Sequence, residues 1–168
     1  MRYIATNELA HFQFHDAEIK DIVFCNEHMI WEIDAVNASA MNTQNKFDKE
    51  MCIENAQITF ENTRIESIIF NGYKSYDHNN NLIESKEASI ANPSEYDDIL
   101  KETLKGFCYV FSMEELSAPE AHRYRTCFNI DGGAGMFYLT IEFTKSIVRW
   151  NEFCGEAWYE DEKWKTQM

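Results

Sequence analysis

GMFYLTIEFTKSIVRWNEFCGEAWY, residues Gly135–Tyr159, is the longest dense apolar and aromatic stretch in the chain, and the other segments read as structure gathered around it. Phe137, Leu139, Ile141 and Phe143 alternate with Tyr138, Thr140 and Glu142, the period of a half-buried strand. A second run, Ile147 to Phe153, follows Thr144, Lys145 and Ser146, and the two runs predict a hairpin. The preferred register sets Ile141 against Val148 and Leu139 against Trp150 on one face, and Thr140 against Arg149 on the other. Glu142 then lies diagonal to Arg149. Matched cross-strand pairs contribute about 0.2–1 kcal/mol each, and a one-residue slip would turn one apolar set outward. The turn itself lacks the Gly or Asn that tight hairpin turns favour.

Working outward, 168 residues suit one domain, 1–168, with a core large enough to need no staples. Acidic residues outnumber basic ones 29 to 15, a formal charge of −14. Such a field repels nucleic acid and anionic lipid and favours a basic protein partner, or simply solubility. Cys25, Cys52, Cys108, Cys127 and Cys154 are scattered without C-x-x-C spacing, which reads as reduced, buried thiols in a cytoplasmic protein. No run approaches the ~18 apolar residues of a membrane helix, and the first residues carry no secretory signal.

Residues 5–13 predict a short helix, and EIKDIVF (18–24), CNEH and MIWEIDAVN (29–37) predict a first hairpin. Its register places Ile22 against Trp31 and Phe24 against Met29, but also Asp21 against Glu32, a like-charge pair that calls for solvation or a bulge. Residues 38–49 read as a loop. A third strand at 51–61 needs a bulge at Glu54-Asn55 to bring Met51 and Ile53 into phase with Ala56, Ile58 and Phe60. A fourth runs from Arg64 to about Tyr76, and an Asn-rich turn leads to a returning strand. Residues 93–105 predict the one main helix, with Asn92 as cap, Pro93 in first position, Glu95 closing a capping box and Gly106 ending it. Tyr96, Ile99, Leu100, Thr103 and Leu104 form its apolar stripe. Strands at 107–113 and 122–130 follow, and the tail beyond Glu160 reads as frayed. The fold class is mainly β: an antiparallel sheet of about eight or nine strands, curled or sandwiched, with one helix packed on it.

Few motifs carry chemistry. Gly132-Gly133-Ala134-Gly135 precedes a strand rather than a helix, so it reads as a β-β connection and not a phosphate loop. Asp77-His78-Asn79-Asn80-Asn81 opens like a calcium loop, but Leu82 and Ala88 stand where that loop needs Gly and Glu. His11 and His15 are four apart but lack the Glu of H-E-x-x-H; Asp16 would orient His15 or cap a turn. Cys25 and His28 are half a zinc site without a second half. No metal or cofactor is expected. Arg123 and Arg125, two apart in a strand, would neutralise carboxylates on neighbouring strands. Trp150, Glu152, Glu156, Trp158 and Tyr159 interleave aromatics with carboxylates at the end of the chain, either as a clasp over the core or as a contact surface.

The opening FHDAEIKDIVF and the closing RWNEFCGEAWYED together resemble a loose group of small bacterial proteins with an F-H-D-[AS] start and a tryptophan-rich C-terminal strand. Some of these look similar to immunity proteins of toxin systems. The resemblance implies an intracellular, non-enzymatic protein-binding domain, an immunity-type inhibitor of a basic toxin. It brings no catalytic residues. Asp21, Glu32, Asp34, Glu152 and Glu156 would steer the partner electrostatically. The alternative is a small-ligand-binding protein or hydrolase-like enzyme with a helix–sheet pocket that uses His15 and Asp16. A third is a structural subunit joined by sheet edges.

Overall fold

The computed structural model describes residues 1–118 and 120–160. Its strands are β1 (Tyr3–Thr6), β2 (Phe12–Gln13), β3 (Ala17–Cys25), β4 (His28–Asp34), β5 (Val36–Ala38), β6 (Met51–Ile53), β7 (Ala56–Glu61) and β8 (Arg64–Phe70). Then come β9 (Tyr73–Tyr76), β10 (Leu82–Lys86), β11 (Ser89–Ile90), the helix α1 (Tyr96–Thr103), β12 (Tyr109–Leu116) and β13 (Tyr124–Gly132). The described chain ends with β14 (Gly135–Phe143), β15 (Lys145–Trp150) and β16 (Gly155–Glu156). The fraying expected beyond Glu160 concerns residues outside those described.

Ten strands form one antiparallel sheet in the order β1-β15-β7-β4-β3-β12-β13-β14-β8-β11, and four form a small sheet, β16-β6-β5-β2. The class expected from the sequence holds. Strands outnumber the expected eight or nine because three of the expected long ones are each interrupted, giving β4 and β5, β6 and β7, and β8 and β9, and because the short β1, β2, β11 and β16 lie where none was expected.

The hairpin expected between β14 and β15 does not exist. Only Thr144 separates them, too little chain to reverse direction, and the sequence carries no turn residue there. Instead the chain bends and runs on against β8 and β7. Phe137 lies opposite Phe70, Glu142 opposite Arg64, Lys145 opposite Glu61 and Arg149 opposite Gln57, one pairing carried through both bends. β4 flanks β7 on its other side, and β13 flanks β14. The two bent strands thereby curl the sheet, so that Trp31 on β4 and Phe128 on β13 meet across the interior with ring centroids 4.7 Å apart. The sheet is not closed, since the outer strands β1 and β11 do not pair with each other.

The small sheet continues the large one past a shared kink. Met29 opposite Phe60 and Ile33 opposite Ala56 lead on to Val36 opposite Ile53 and Ala38 opposite Met51. At the kink Asp16, Ala35 and Asn55 adopt positive φ of 64°, 58° and 53°. These left-handed residues turn each chain from one sheet into the other, where the sequence suggested only a bulge at Glu54-Asn55. The Asp34 carboxylate holds the bend by accepting from the Asn55 N–H at 2.7 Å.

The first hairpin forms in its expected register, Ile22 opposite Trp31 and Phe24 opposite Met29, around the left-handed pair Asn26-Glu27. Asp21 does face Glu32, next to a bulge. The clash is relieved because Asp21 accepts from the Ile22 N–H while Glu32 accepts from the Gln57 amide at 2.7 Å. The N-terminal helix expected at residues 5–13 is absent: Tyr3–Thr6 pair with β15 instead, and Leu9–His11 form a single 3-10 turn. Asp77 organises the Asn-rich turn between β9 and β10, accepting from the backbone of Asn79 and Asn81 and from the Asn81 side chain. The α-helix is shorter than expected, because Pro93–Glu95 form a 3-10 turn, but the Asn92/Glu95 capping box is present. Tyr96, Leu100 and Thr103 are its buried stripe. Its C-terminus meets the β13–β14 turn, where the Gly133 N–H donates to the Thr103 carbonyl at 2.9 Å. A Cβ on Gly132 or Gly133 would lie 2.5 or 2.3 Å from a helix carbonyl, so this turn needs its glycines for close approach. Most of the buried apolar side chains of both sheets and the helix join in one cluster.

Candidate functional site

The kink creates the most structured concavity. Gln13 pairs with Asn37, Asn37 with Cys52, and Cys52 with Gly155, so these residues form one row across the outer face of the small sheet. The opposite row, Phe12, Ala38 and Met51, is buried against the core. After β16 the chain folds back over the outer row. The Ala157 N–H donates to the Glu50 carbonyl at 3.0 Å, and the Tyr159 hydroxyl donates to the Glu50 carboxylate at 2.5 Å. Lys49 pairs with Glu156 beside them. The result is a clasp over a groove of about 320 Å³, lined by Gln13, His15, Asn37, Glu50, Trp158 and Tyr159.

The floor is polar: Asn37 is only 6% exposed, and its side chain hydrogen-bonds the Tyr159 hydroxyl. Burial and the Glu50 carboxylate push the Tyr159 phenol well above its ordinary value, outweighing the opposite effect of Asn37. The hydroxyl therefore stays protonated and keeps donating to Glu50. Trp158 is 65% exposed, with its ring edge-on to Tyr159 at 5.3 Å. His15 Nδ1 and the Asp16 carboxylate lie 3.0 Å apart, and their side chains are 68% and 63% exposed. They occupy the middle of a turn closed by the Ala17 N–H donating to the Phe14 carbonyl.

Three of the residues singled out in the sequence thus converge: His15, Trp158 and Tyr159. Glu156 sits beside them in its pair with Lys49, whereas Glu152 is exposed on the segment between β15 and β16 and does not line the groove. Trp150 is a core residue and not a surface anchor. It is 0% exposed, stacked on Tyr3 at 5.3 Å and edge-on to Phe12 and Phe153. The pocket expected between helix and sheet around His15 and Asp16 is also corrected, since α1 packs against β13 and β3 and no helix residue lines the groove at His15. Gln13, Asn37 and Glu50 went unread. A polar Gln between Phe12 and Phe14, and Asn after two apolar residues, were the available signals.

Among the described residues no three His, Cys, Asp or Glu side chains gather to hold a metal; His11 instead meets Glu8 at 3.5 Å. Only Cys108 of the five cysteines is buried, its thiol pushed up to about 12 by burial, so the expectation of uniformly buried thiols is corrected. Cys52 and Cys154, distant in sequence, are neighbours: the Cys154 N–H donates to the Cys52 carbonyl at 2.9 Å and the two thiols hydrogen-bond. Burial, and then the Cys154 thiol, push Cys52 up to about 12. Arg125 makes a two-pronged bond to Glu66 at 2.6 Å, and Arg123 lies 3.5 Å from Glu142, so both arginines are engaged by carboxylates. Compared with family models, with curated proteins and with solved structures, the chain matches none. Among the described residues no helix is long and apolar enough to cross a membrane.

Proposed function

We propose that the protein is a non-enzymatic protein-binding domain, an immunity-type inhibitor whose partner is basic and docks on the clasp. The observation that carries this reading is the groove, where the exposed Trp158 ring, Tyr159 and the Glu50 carboxylate surround a polar floor. An exposed indole beside a carboxylate suits a Lys or Arg side chain, which gains from both the ring face and the charge. Trp, Tyr and Arg dominate the hot spots of interfaces. A formal charge of −14 supplies the long-range attraction for such a partner. His15 and Asp16 contribute a polar rim to this contact surface.

The test is capture from the native host with the wild-type chain and with Trp158→Ala as baits, followed by association kinetics of the recovered partner. The variant should lose at least 2 kcal/mol of binding, about thirtyfold in affinity. The wild-type on-rate should fall steeply with added salt. A partner held equally by both baits, or one whose on-rate ignores salt, would rule the reading out.

A further inference from the structure

A second groove, of about 530 Å³, lies on the other side of His15. It is lined by Phe12, Gln13, Phe14 and His15 on one side and by Phe111 to Glu115 on the other. Its origin is a ladder that stops. β12 pairs with β3 only at Tyr109 opposite Glu18 and Val110 opposite Ala17. The last bond joins the Asp16 N–H to the Val110 carbonyl at 3.0 Å. Asp16 then takes its positive φ, and the turn at Phe14–Ala17 carries β2 away to pair with β5. β12 runs on to Leu116, bonded to β13 along its other edge. Two strand edges therefore border one groove without a ladder between them.

We propose that this slot accepts an extended, cation-bearing segment of a partner protein as an added β-strand. A strand edge presents backbone donors and acceptors that an incoming strand can pair with. Phe111 to Glu115 span about 17 Å, enough for four or five residues of ligand. Side chains of a strand alternate between two faces, and the slot is matched to that alternation. Buried Phe12 and Phe14 with half-buried Met113 form an apolar floor; exposed Glu114 belongs to the opposite face of β12, and exposed Asp16 and Glu115 stand at the two ends of the slot. A segment alternating apolar and basic residues meets both. The proposal does not depend on the clasp groove, with which it shares only Gln13 and His15.

The probe is a ten-residue peptide alternating lysine and valine, with a second version N-methylated on the backbone at every other residue. Binding is followed by backbone NMR shifts and amide hydrogen exchange of the full chain. The plain peptide should slow exchange at least tenfold at amides within residues 12–15 and 111–115. N-methylation should weaken binding at least tenfold, and Glu114→Lys with Glu115→Lys at least threefold, while the variant's spectrum stays that of the folded chain. Equal binding of the methylated peptide would show attraction by charge alone and overturn the proposal. Shifts confined to the outer edges β1 or β11, or to the clasp groove, would overturn it as well.

Discussion

Two tryptophans eight positions apart should respond to truncation by very different amounts. Trp150 is fully buried, stacked on Tyr3 and in edge contact with Phe12 and Phe153, all within 6 Å between ring centroids. Trp150→Ala removes that packing and leaves a cavity, a change that costs about 3–5 kcal/mol. For a chain of this length the midpoint of thermal unfolding should fall by roughly 6–20 °C. The indole N–H is buried without a hydrogen-bond partner, so the loss is one of packing. Trp150→Phe, which keeps a ring and deletes that unpaired donor, should cost about half as much or less. Trp158→Ala removes a side chain that is largely exposed, its ring edge-on to Tyr159 in a contact worth about 0.5–1.5 kcal/mol, and should cost less than Trp150→Ala. Urea unfolding of the three variants, with slopes compared to establish a common unfolded state, measures all of these differences. A Trp150→Ala variant within 1 kcal/mol of wild type would refute the curled core described here. So would Trp158→Ala losing more than Trp150→Ala.

Exposure to oxidised glutathione should join Cys52 and Cys154: one thiol displaces glutathione to give a mixed disulfide, the other displaces the second glutathione, and two protons leave with the two reduced glutathiones. The backbone bond from Cys154 to Cys52 and the influence of the Cys154 thiol on Cys52 place the two side chains beside one another, the juxtaposition a disulfide needs. Mass spectrometry should show an internal bridge in the wild type, and Cys52→Ala should show only glutathione adducts. The Arg125 guanidinium holds Glu66 below the usual carboxylate range. A lowered folded-state value stabilises above the unfolded value and is lost as pH falls through the folded one, so Glu66→Gln should flatten the stability profile below about pH 4.5. Both side chains are partly exposed, and screening limits the effect to less than about 1 kcal/mol in urea titrations across that range. Glu27 sits at φ 61° in the first hairpin turn, where glycine is free of Cβ strain. Glu27→Gly should therefore raise stability by about 1 kcal/mol, and no gain in the urea midpoint would count against the turn geometry.

Local signals were legible where chemistry and conformation are neighbours in sequence. The Asn92–Glu95 capping box, the stripe from Tyr96 to Leu104 and the pairing of Ile22 with Trp31 each need only a few adjacent residues to specify them. The run from Phe137 to Trp150 shows why the rest was harder. Its apolar residues are buried as expected, but period alone cannot distinguish a chain that turns back from one that bends and continues. The missing Gly or Asn at Thr144-Lys145-Ser146 was the deciding sign, and it pointed away from a hairpin. Trp150 looked equally suited to a surface or a core until Tyr3, from the far end of the chain, was placed on its ring.

The site depends on a coincidence of registers that no local window contains. Asp16, Ala35 and Asn55 turn left-handed at one level across neighbouring strands; Asp and Asn tolerate that region better than other side chains, whereas at Ala35 it costs on the order of 1–2 kcal/mol. That strain has a geometric return. Turning at Ala35 and Asn55 sets Asn37 and Cys52 on an outer face that the C-terminal clasp can cover. Turning at Asp16 lifts β2 off β12 and opens the slot beside His15. Both grooves thus follow from one line of kinks, and relieving it separates their contributions. Asp16→Gly keeps the turn and should leave both grooves intact with a gain in stability. Asp16→Val, β-branched and averse to positive φ, should extend the β3–β12 ladder toward Phe14 and narrow the slot first. Amide exchange resolves the two outcomes: new protection confined to residues 12–16 and 111–115 fits a hinge at Asp16. Equal loss of protection throughout the small sheet would mean that the kink is held by the clasp and not by the residue.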